Sequence, residues 1–270
     1  MNKKTNPDVV TQYEHETWSR CAEGYLDTFA GLTRETIPLL LEAARIRPGS
    51  TILDIGSGPG HVAEALHQAG AAVRGIDFSG QMVEVARGRY PHITFQEANA
   101  EQLPFDPGMF DAVVSNFVVH HLARPECVFR EVCRVLKPGG RFAFAVFEAP
   151  EAQSSIGAFF AAVQEHHDLD ELPHGPLFGM TDRNVYQAML TAGGLANCRL
   201  NTEEVVWRSK TLEPILAGFW KWGNMAALPR EVQDKIEKTT RENAKPYERD
   251  GQFAFPHAVL FGTAEKPGQR

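Results

Sequence analysis

Short apolar runs alternate with amphipathic stretches along the first half of the chain. The runs are rich in β-branched and aromatic residues, whereas the stretches between them repeat apolar residues every three or four positions. Continuous apolar runs are typical of strands buried on both faces, and the longer period is typical of helices packed against them. The pattern predicts an α/β fold with a mostly parallel sheet. The predicted strands of this half are residues 51–55, 71–77, 93–98, 110–116 and 141–148.

The two ends of the chain show different patterns. Residues 13–29 carry aromatic residues at helical spacing, and residues 33–45 predict a second helix, so residues 1–45 are interpreted as a helical cap segment. Residues 46–270 are interpreted as one domain with insertions at about 151–180 and 208–250. A helix over 181–195 and strands over 197–207 and 252–264 complete the prediction. Aromatic residues that are candidates for lining a pocket are Tyr13, Trp18, Tyr25 and those of the two insertions, including Phe219 to Trp222, although packing in the core explains any one of them equally well.

The first predicted strand runs directly into a glycine-rich turn. Residues 51–60 are Thr-Ile-Leu-Asp-Ile-Gly-Ser-Gly-Pro-Gly, and a helix is predicted from His61 to Ala69. Glycines have no Cβ, so a ligand can lie against the backbone, and the start of a helix offers unpaired N–H groups. The turn therefore predicts a small-molecule site. An ordinary strand–turn–helix that binds nothing is the alternative.

The glycine spacing separates two kinds of nucleotide site. A dinucleotide fingerprint has the form G-x-G-x-x-G, whereas this turn is G-x-G-x-G and follows the carboxylate of Asp54. A carboxylate there repels a pyrophosphate and suits a cationic ammonium group. In these residues the chain resembles the class I S-adenosylmethionine-dependent methyltransferases. The resemblance implies S-adenosyl-L-methionine as cofactor, held at this turn by Asp54, Gly56, Ser57, Gly58 and Gly60.

The second predicted strand ends in another carboxylate. Asp77 lies 17 positions beyond Gly60, near the ~20-residue separation typical of a ribose-binding acid. Asp77 and Ser79 could each instead cap the next helix. We assign Asp77 to the ribose and Ser79 to the cap. Phe78 and Met82 are predicted as apolar walls for an adenine ring, although core packing explains them equally well.

Two further motifs carry the same resemblance. Residues 99–105, Asn-Ala-Glu-Gln-Leu-Pro-Phe, resemble the Asp-Ala-x-x-Leu-Pro-Phe signature of the small-molecule branch that includes quinone-biosynthesis C-methyltransferases. Asn99 replaces the usual aspartate, and its amide can both accept from an adenine amine and donate to a ring nitrogen. Ala100 would contribute its backbone N–H. With Leu-Lys-Pro-Gly-Gly at residues 136–140, the resemblance implies a Rossmann-like seven-stranded sheet of order 3-2-1-4-5-7-6.

The fourth predicted strand ends near two adjacent histidines. The resemblance implies that Asn116 and the residues after it face the methyl group, with His121 on the cofactor side. Both histidines are catalytic candidates, since either could act as a general base because imidazole titrates near neutrality, and His120 is the one assigned to that role. Adjacent residues on a helical turn point about 100° apart, so the two rings are not expected to serve one site or bind one metal. Simple packing is the alternative for both.

Composition limits the partners. The formal charge of −7 and pI near 5.8 argue against nucleic acid or anionic lipid. The four cysteines form no C-x-x-C pair, which favours free thiols in a reducing cytoplasm, and the sequence has no apolar span of 18 residues. We therefore expect a cytoplasmic protein without a metal site. Its oligomeric state is not indicated.

These features together predict methyl transfer to a small-molecule acceptor. The acceptor atom, whether O, N or C, is left open. Two other classes remain as alternatives: a regulatory protein that binds S-adenosylmethionine without turnover, and a nicotinamide-dependent oxidoreductase.

Overall fold

The computed structural model describes residues 6–148, 154–167 and 173–268 of the 270-residue chain. Within these ranges one sheet runs in the order β3-β2-β1-β4-β5-β8-β6, and a two-residue strand, β7, pairs with β8. The strands are β1 (Thr51–Ile55), β2 (Ala72–Asp77), β3 (Thr94–Glu97), β4 (Phe110–Asn116), β5 (Leu136–Phe147), β6 (Ala196–Ser209), β7 (Glu248–Arg249) and β8 (Gln252–Glu265).

Strands β1 to β5 are mutually parallel, whereas β8 is antiparallel to both β5 and β6. The α/β prediction is confirmed, and so is the order of the seven long strands. The structure adds the two-residue strand β7, so the strand predicted as the seventh is β8 here.

Ten helices surround the sheet in the part of the chain that the structure describes. They are α1 (Pro7–Ala22), α2 (Ala30–Thr33), α3 (Ile37–Ala44), α4 (His61–Gln68), α5 (Gly80–Arg89), α6 (Pro125–Val135), α7 (Ser154–His166), α8 (Arg183–Ala192), α9 (Glu213–Lys221) and α10 (Arg230–Ala244). None of the described helices is long and apolar enough to span a bilayer.

Alternate residues of the central strands bury their side chains on opposite faces. Val114 of β4 packs in a cluster with residues of α3, α4, α7 and α9, and its neighbour Val113 packs with residues of α6 and α8. Both valines are fully buried, as expected for a strand covered on both sides. The central strands are therefore fixed from both faces, and their carboxyl ends form a common edge.

The N-terminal helices are shorter than predicted. The helix expected over residues 13–29 begins earlier, at Pro7, and ends at Ala22, because Gly24 adopts φ +87° and a 3₁₀ turn follows over Tyr25–Asp27. The helix expected over 33–45 is α3, which begins only at Ile37 with Pro38 in its first turn, and the short α2 precedes it. Proline lacks the N–H that would continue the preceding helix, so it starts a new one.

The predicted insertions contain helices that pack on each other. The one expected over 151–180 contributes α7, while its residues 151–153 and 168–172 lie outside the described ranges. The one expected over 208–250 contributes α9, a 3₁₀ turn over Trp222–Ala227, and α10. α7 packs against α10, with the Asn243 amide donating to the carbonyl of Ala158.

Candidate functional site

The glycine turn after β1 exposes bare backbone. Gly56, Gly58 and Gly60 all have positive φ, at +67°, +50° and +90°. A Cβ at Gly56 would collide with Val118, and one at Gly60 would lie 2.9 Å from the rings of Tyr90 and Phe95, so both are required for packing. A Cβ at Gly58 would meet no atom within 4 Å. Gly58 is therefore the place where a ligand can lie directly on the backbone.

Asp77 stands beside this bare backbone. Its two carboxylate oxygens accept hydrogen bonds from the backbone N–H groups of Gly58 and Ser79, each 2.9 Å long. Each oxygen keeps a further lone pair for a ligand. Burial raises the pKa of Asp77 to about 6. The predicted cap is confirmed, because the Ser79 hydroxyl accepts from the N–H of Met82 at the start of α5.

Asp54 lies beneath the turn. It is 1% exposed, and its Oδ2 has no hydrogen-bond partner among the described residues. Burial, reinforced by the nearby charge of Asp77, raises the pKa of Asp54 to about 8. The ionised carboxylate is thus unfavourable in the protein without a ligand.

Asp54→Asn is expected to stabilise the ligand-free protein at pH 8 to 9. The raised pKa means that the folded protein holds a proton that the unfolded chain, with an ordinary aspartate near 3.8, has released. Wild-type stability therefore falls as pH rises from about 4 through about 8. Urea unfolding between pH 5 and 9 checks this: the wild type should lose stability as the pH rises from 5 to about 8 and level off above it, and the variant should lose clearly less. Parallel pH profiles would contradict the assignment.

One cavity of about 880 Å³ lies along the carboxyl edge of the parallel strands. This volume is in the upper part of the ~300 to 1,000 Å³ range of small-molecule sites, so it has room for more than a nucleoside. Of the predicted cofactor residues, those that line it are Gly56, Gly58, Asp77, Phe78, Met82, Asn99, Ala100, Asn116 and His121. Asp54, Ser57 and Gly60 do not line it.

Aromatic side chains line the remainder of the cavity. Among the residues proposed from sequence, Trp18, Tyr25, Phe219 and Trp222 line it, whereas Tyr13 and Trp220 do not. The aromatic residues of the two insertions were expected as a group to form the substrate wall, and Phe160, Phe178 and Tyr247 among them also line the cavity. The further aromatic lining residues come from other elements and are Phe29, Phe117, Phe147 and Trp207.

Asn116 ties the N-terminal helices to the end of β4. Its Oδ1 accepts from the Thr36 hydroxyl and its Nδ2 donates to the carbonyl of Thr33, both at 2.9 Å. The sequence prediction placed Asn116 only at the methyl group. The structure adds a tether between the strand and the segment that joins α2 to α3.

Asn116→Ala is expected to lower the free energy of unfolding by about 1 kcal/mol, because the hydrogen bonds from β4 to Thr33 and Thr36 are lost while the Thr36 hydroxyl still donates to the carbonyl of Thr33. Urea denaturation measures this loss. Unchanged stability would contradict the tether.

His120 and His121 lie against each other. They end the 3₁₀ turn Val119–His121, and their ring centroids are 4.0 Å apart. Both line the cavity. The expectation that adjacent side chains would point to separate places is wrong, because side-chain torsions bring the rings together despite the angle between their Cα–Cβ bonds.

The two histidines have different surroundings. His120 is buried, and its Nδ1 has no hydrogen-bond partner in the described parts of the chain. Burial, together with the neighbouring ring of His121, lowers the pKa of His120 well below the usual value, so this ring is neutral. His121 Nδ1 lies 3.1 Å from Oε1 of Glu14.

Sequence reasoning missed Glu14. It is a buried carboxylate of α1 whose Oε2 accepts from Trp18 Nε1 at 3.0 Å. The available signal was its position: Val10, Glu14, Thr17 and Cys21 recur at helical spacing, and all are buried. A carboxylate in such a stripe requires a partner, which here is His121.

The family comparison identifies the core of the chain. Residues 53–144, which run from within β1 into β5, match the family model described as a methyltransferase domain. Residues 53–144 of this chain are thus similar to a methyltransferase domain. This domain supplies the glycine turn, Asp77, Asn99 and the histidine pair, whereas α1, α7 and α9 lie outside the matched residues.

Curated relatives match about half of the chain. An uncharacterized methyltransferase, YcgJ of Bacillus subtilis, is 35% identical over 139 residues, which are 50% of this chain and 55% of that protein. A demethylmenaquinone methyltransferase of Renibacterium salmoninarum is 37% identical over 120 residues, covering 44% and 51%. The chain thus spans about half the length of the curated relatives it matches.

Solved structures extend the likeness in fold. The crystal structure of YcgJ superposes with a TM-score of 0.59 at 23% identity, covering 87% of this chain and 99% of that one. A phosphoethanolamine N-methyltransferase 2 of Haemonchus contortus, in complex with phosphomonomethylethanolamine and S-adenosylhomocysteine, superposes with a TM-score of 0.55 at 20% identity, covering 86% and 52%. Both matches show the methyltransferase fold beyond the residues of the family model.

Proposed function

We propose that this protein binds S-adenosyl-L-methionine in the glycine turn and transfers its methyl group to a small-molecule acceptor. The observation that carries the proposal is the bare backbone of Gly58 beside the carboxylate of Asp77, at the edge of a methyltransferase domain.

The residues present fit this cofactor. Asp77 retains lone pairs for the two ribose hydroxyls, and Phe78 and Met82 supply apolar surface for the adenine. The amide of Asn99 and the N–H of Ala100 can meet the polar edge of the base. Gly56, Ser57, Gly58 and Gly60 form the turn under the amino-acid portion. Asp54, with an unpartnered oxygen below them, favours a cationic ligand once ionised.

The chain's main contribution to the chemistry is position. The bound cofactor supplies a methyl group that is already activated on a positively charged sulfur. Holding an acceptor atom in line with that methyl group can lower the barrier by ~7 to 11 kcal/mol. α1, α7 and α9 contribute residues to the cavity lining, and we expect them to exclude water from the reacting atoms.

The walls of the cavity favour an uncharged acceptor with an apolar or aromatic body. Aromatic rings make up much of the cavity wall. Several of them stack on each other, such as Phe178 and Trp222, whose ring centroids are 6.3 Å apart. The carboxylates of Glu14, Glu101 and Glu148 also line the cavity. They disfavour an anionic acceptor. We therefore propose an uncharged small molecule with an apolar or aromatic body as the acceptor.

The test is transfer of a labelled methyl group. The protein is incubated with methyl-labelled S-adenosylmethionine and a panel of uncharged aromatic alcohols, amines and hydroquinones, and the products are analysed by mass spectrometry. One labelled methyl group gained by a member of the panel is the expected result. Tight cofactor binding without product from any acceptor class would instead favour the regulatory alternative.

A further inference from the structure

Glu14 and His121 form a buried hydrogen-bonded pair in the cavity wall. The distance between Glu14 Oε1 and His121 Nδ1 is 3.1 Å, and the two side chains are 3% and 12% exposed. A carboxylate can only accept, so the Nδ1–H of His121 donates to Glu14. A neutral imidazole carries one proton, so Nε2 of His121 keeps a free lone pair.

Glu14 is itself held in place. Its other oxygen accepts from Trp18 Nε1, one turn further along α1, and the Trp18 ring packs edge-on against the His121 ring at 5.2 Å. The carboxylate, the indole and the imidazole therefore fix one another. A hydrogen bond between a carboxylate and one ring nitrogen orients a histidine and leaves the other nitrogen free to react.

His120 is less suited to accept a proton. A general base must hold the proton that it takes, and full burial pushes the pKa of His120 far below neutrality. Its Nδ1 also faces no carboxylate or other partner among the described residues. His120 instead forms a neutral wall against which the His121 ring rests.

We propose that His121 is the general base of the reaction and that Glu14 is its positioning residue. The inference rests on the proposed function and narrows the acceptor to one whose reacting atom carries a proton, most simply a weakly acidic hydroxyl. That proton passes to Nε2 of His121, and an oxygen lone pair forms the new bond to the methyl carbon. The electron pair of the breaking carbon–sulfur bond stays on sulfur, and His121 afterwards releases its proton to water.

The proposal gives α1 a chemical role. Glu14 and Trp18 both come from this helix, which lies outside the residues matched by the methyltransferase family model. The base is therefore completed only when α1 lies over the histidine turn. A protein with the same domain and a different N-terminal helix would lack this pair.

Chemical reactivity of the ring tests the pair without requiring the acceptor. Diethyl pyrocarbonate modifies unprotonated imidazole nitrogens, and tandem mass spectrometry of the peptide separates His120 from His121. In the wild type we expect His121 to react faster than His120. Glu14→Leu should slow the reaction at His121 about tenfold, as loss of an orienting carboxylate does elsewhere. Faster reaction at His120, or an unchanged rate in Glu14→Leu, would overturn the proposal.

A matched variant separates positioning from simple tethering. Trp18→Phe removes one hydrogen bond of Glu14 but leaves the carboxylate beside His121, so the rate at His121 should lie between those of the wild type and Glu14→Leu. Nitrogen-15 NMR of the histidine rings provides the second readout: the neutral His121 ring should carry its proton on Nδ1 in the wild type and in Trp18→Phe, and lose that preference in Glu14→Leu. A wild-type ring protonated on Nε2 would refute the assignment.

The cofactor assignment is tested separately by calorimetry with S-adenosylhomocysteine. Absence of binding to the wild type would overturn the proposed function. The tautomer and the reactivity of His121 report on the pair whatever that titration shows.

Discussion

Gly58→Val raises the dissociation constant for S-adenosylhomocysteine by at least about a hundredfold, equivalent to ~2.8 kcal/mol. The added side chain projects into the open space where no atom lies within 4 Å of an ideal Cβ. A nucleoside that lies on this backbone cannot share that space. Isothermal titration calorimetry of the two proteins measures the difference.

The matched control for this substitution is Gly108→Val. Gly108 has φ +69° and also has no atom within 4 Å of an ideal Cβ, so valine imposes a similar left-handed strain there. Gly108 does not line the cavity. Both variants should lose comparable stability in urea, and only Gly58→Val should lose affinity. Equal affinity in the two variants would remove Gly58 from the binding site.

Asp77→Ala is the second large effect, with affinity for S-adenosylhomocysteine again falling by about a hundredfold or more. In the proposed complex the substitution removes the acceptor of two ribose hydroxyls, and hydrogen bonds to a charged group contribute about 1.5 to 3 kcal/mol each. It also frees the N–H of Gly58, which loosens the turn. Calorimetry measures the loss of affinity.

Asp111→Ala is the control for Asp77. Asp111 also accepts from a backbone N–H, that of Thr51 at the opposite end of β1. Losing it should affect stability but not affinity.

In the wild type, affinity for S-adenosylhomocysteine should also fall as the pH is lowered through about 6, where Asp77 takes up a proton and loses its charge. Affinity that is independent of pH between 5 and 7.5 would contradict the ribose assignment.

The sheet and its glycine turn were predictable because their signals are local. β4 occupies residues 110–116, as predicted, and Ser79 caps α5 as predicted, because a run of apolar residues or a serine before a helix is legible within a few positions. The breaks between the N-terminal helices were also encoded locally, in Gly24 and Pro38. The prediction extended the first helix past Gly24 because the aromatic residues on both sides of it recur at helical spacing.

The contacts that complete the site join distant parts of the chain. Asn116 reaches the carbonyl of Thr33, 83 positions away, and Glu14 reaches His121 across 107 positions. Helical spacing places Glu14 on a buried face but does not say which residue it meets. The approach of the two histidine rings depends on side-chain torsions, which the sequence pattern does not show.

The most direct test of the account is a pair of calorimetric titrations of the wild-type protein, one with S-adenosylhomocysteine and one with NADH. The geometry of the turn and of Asp77 predicts one site for S-adenosylhomocysteine and no heat of binding with NADH, and the dissociation constant is expected within the range of about 1 μM to 1 mM that is typical of enzymes and their substrates. Binding of NADH without binding of S-adenosylhomocysteine would contradict the central claim.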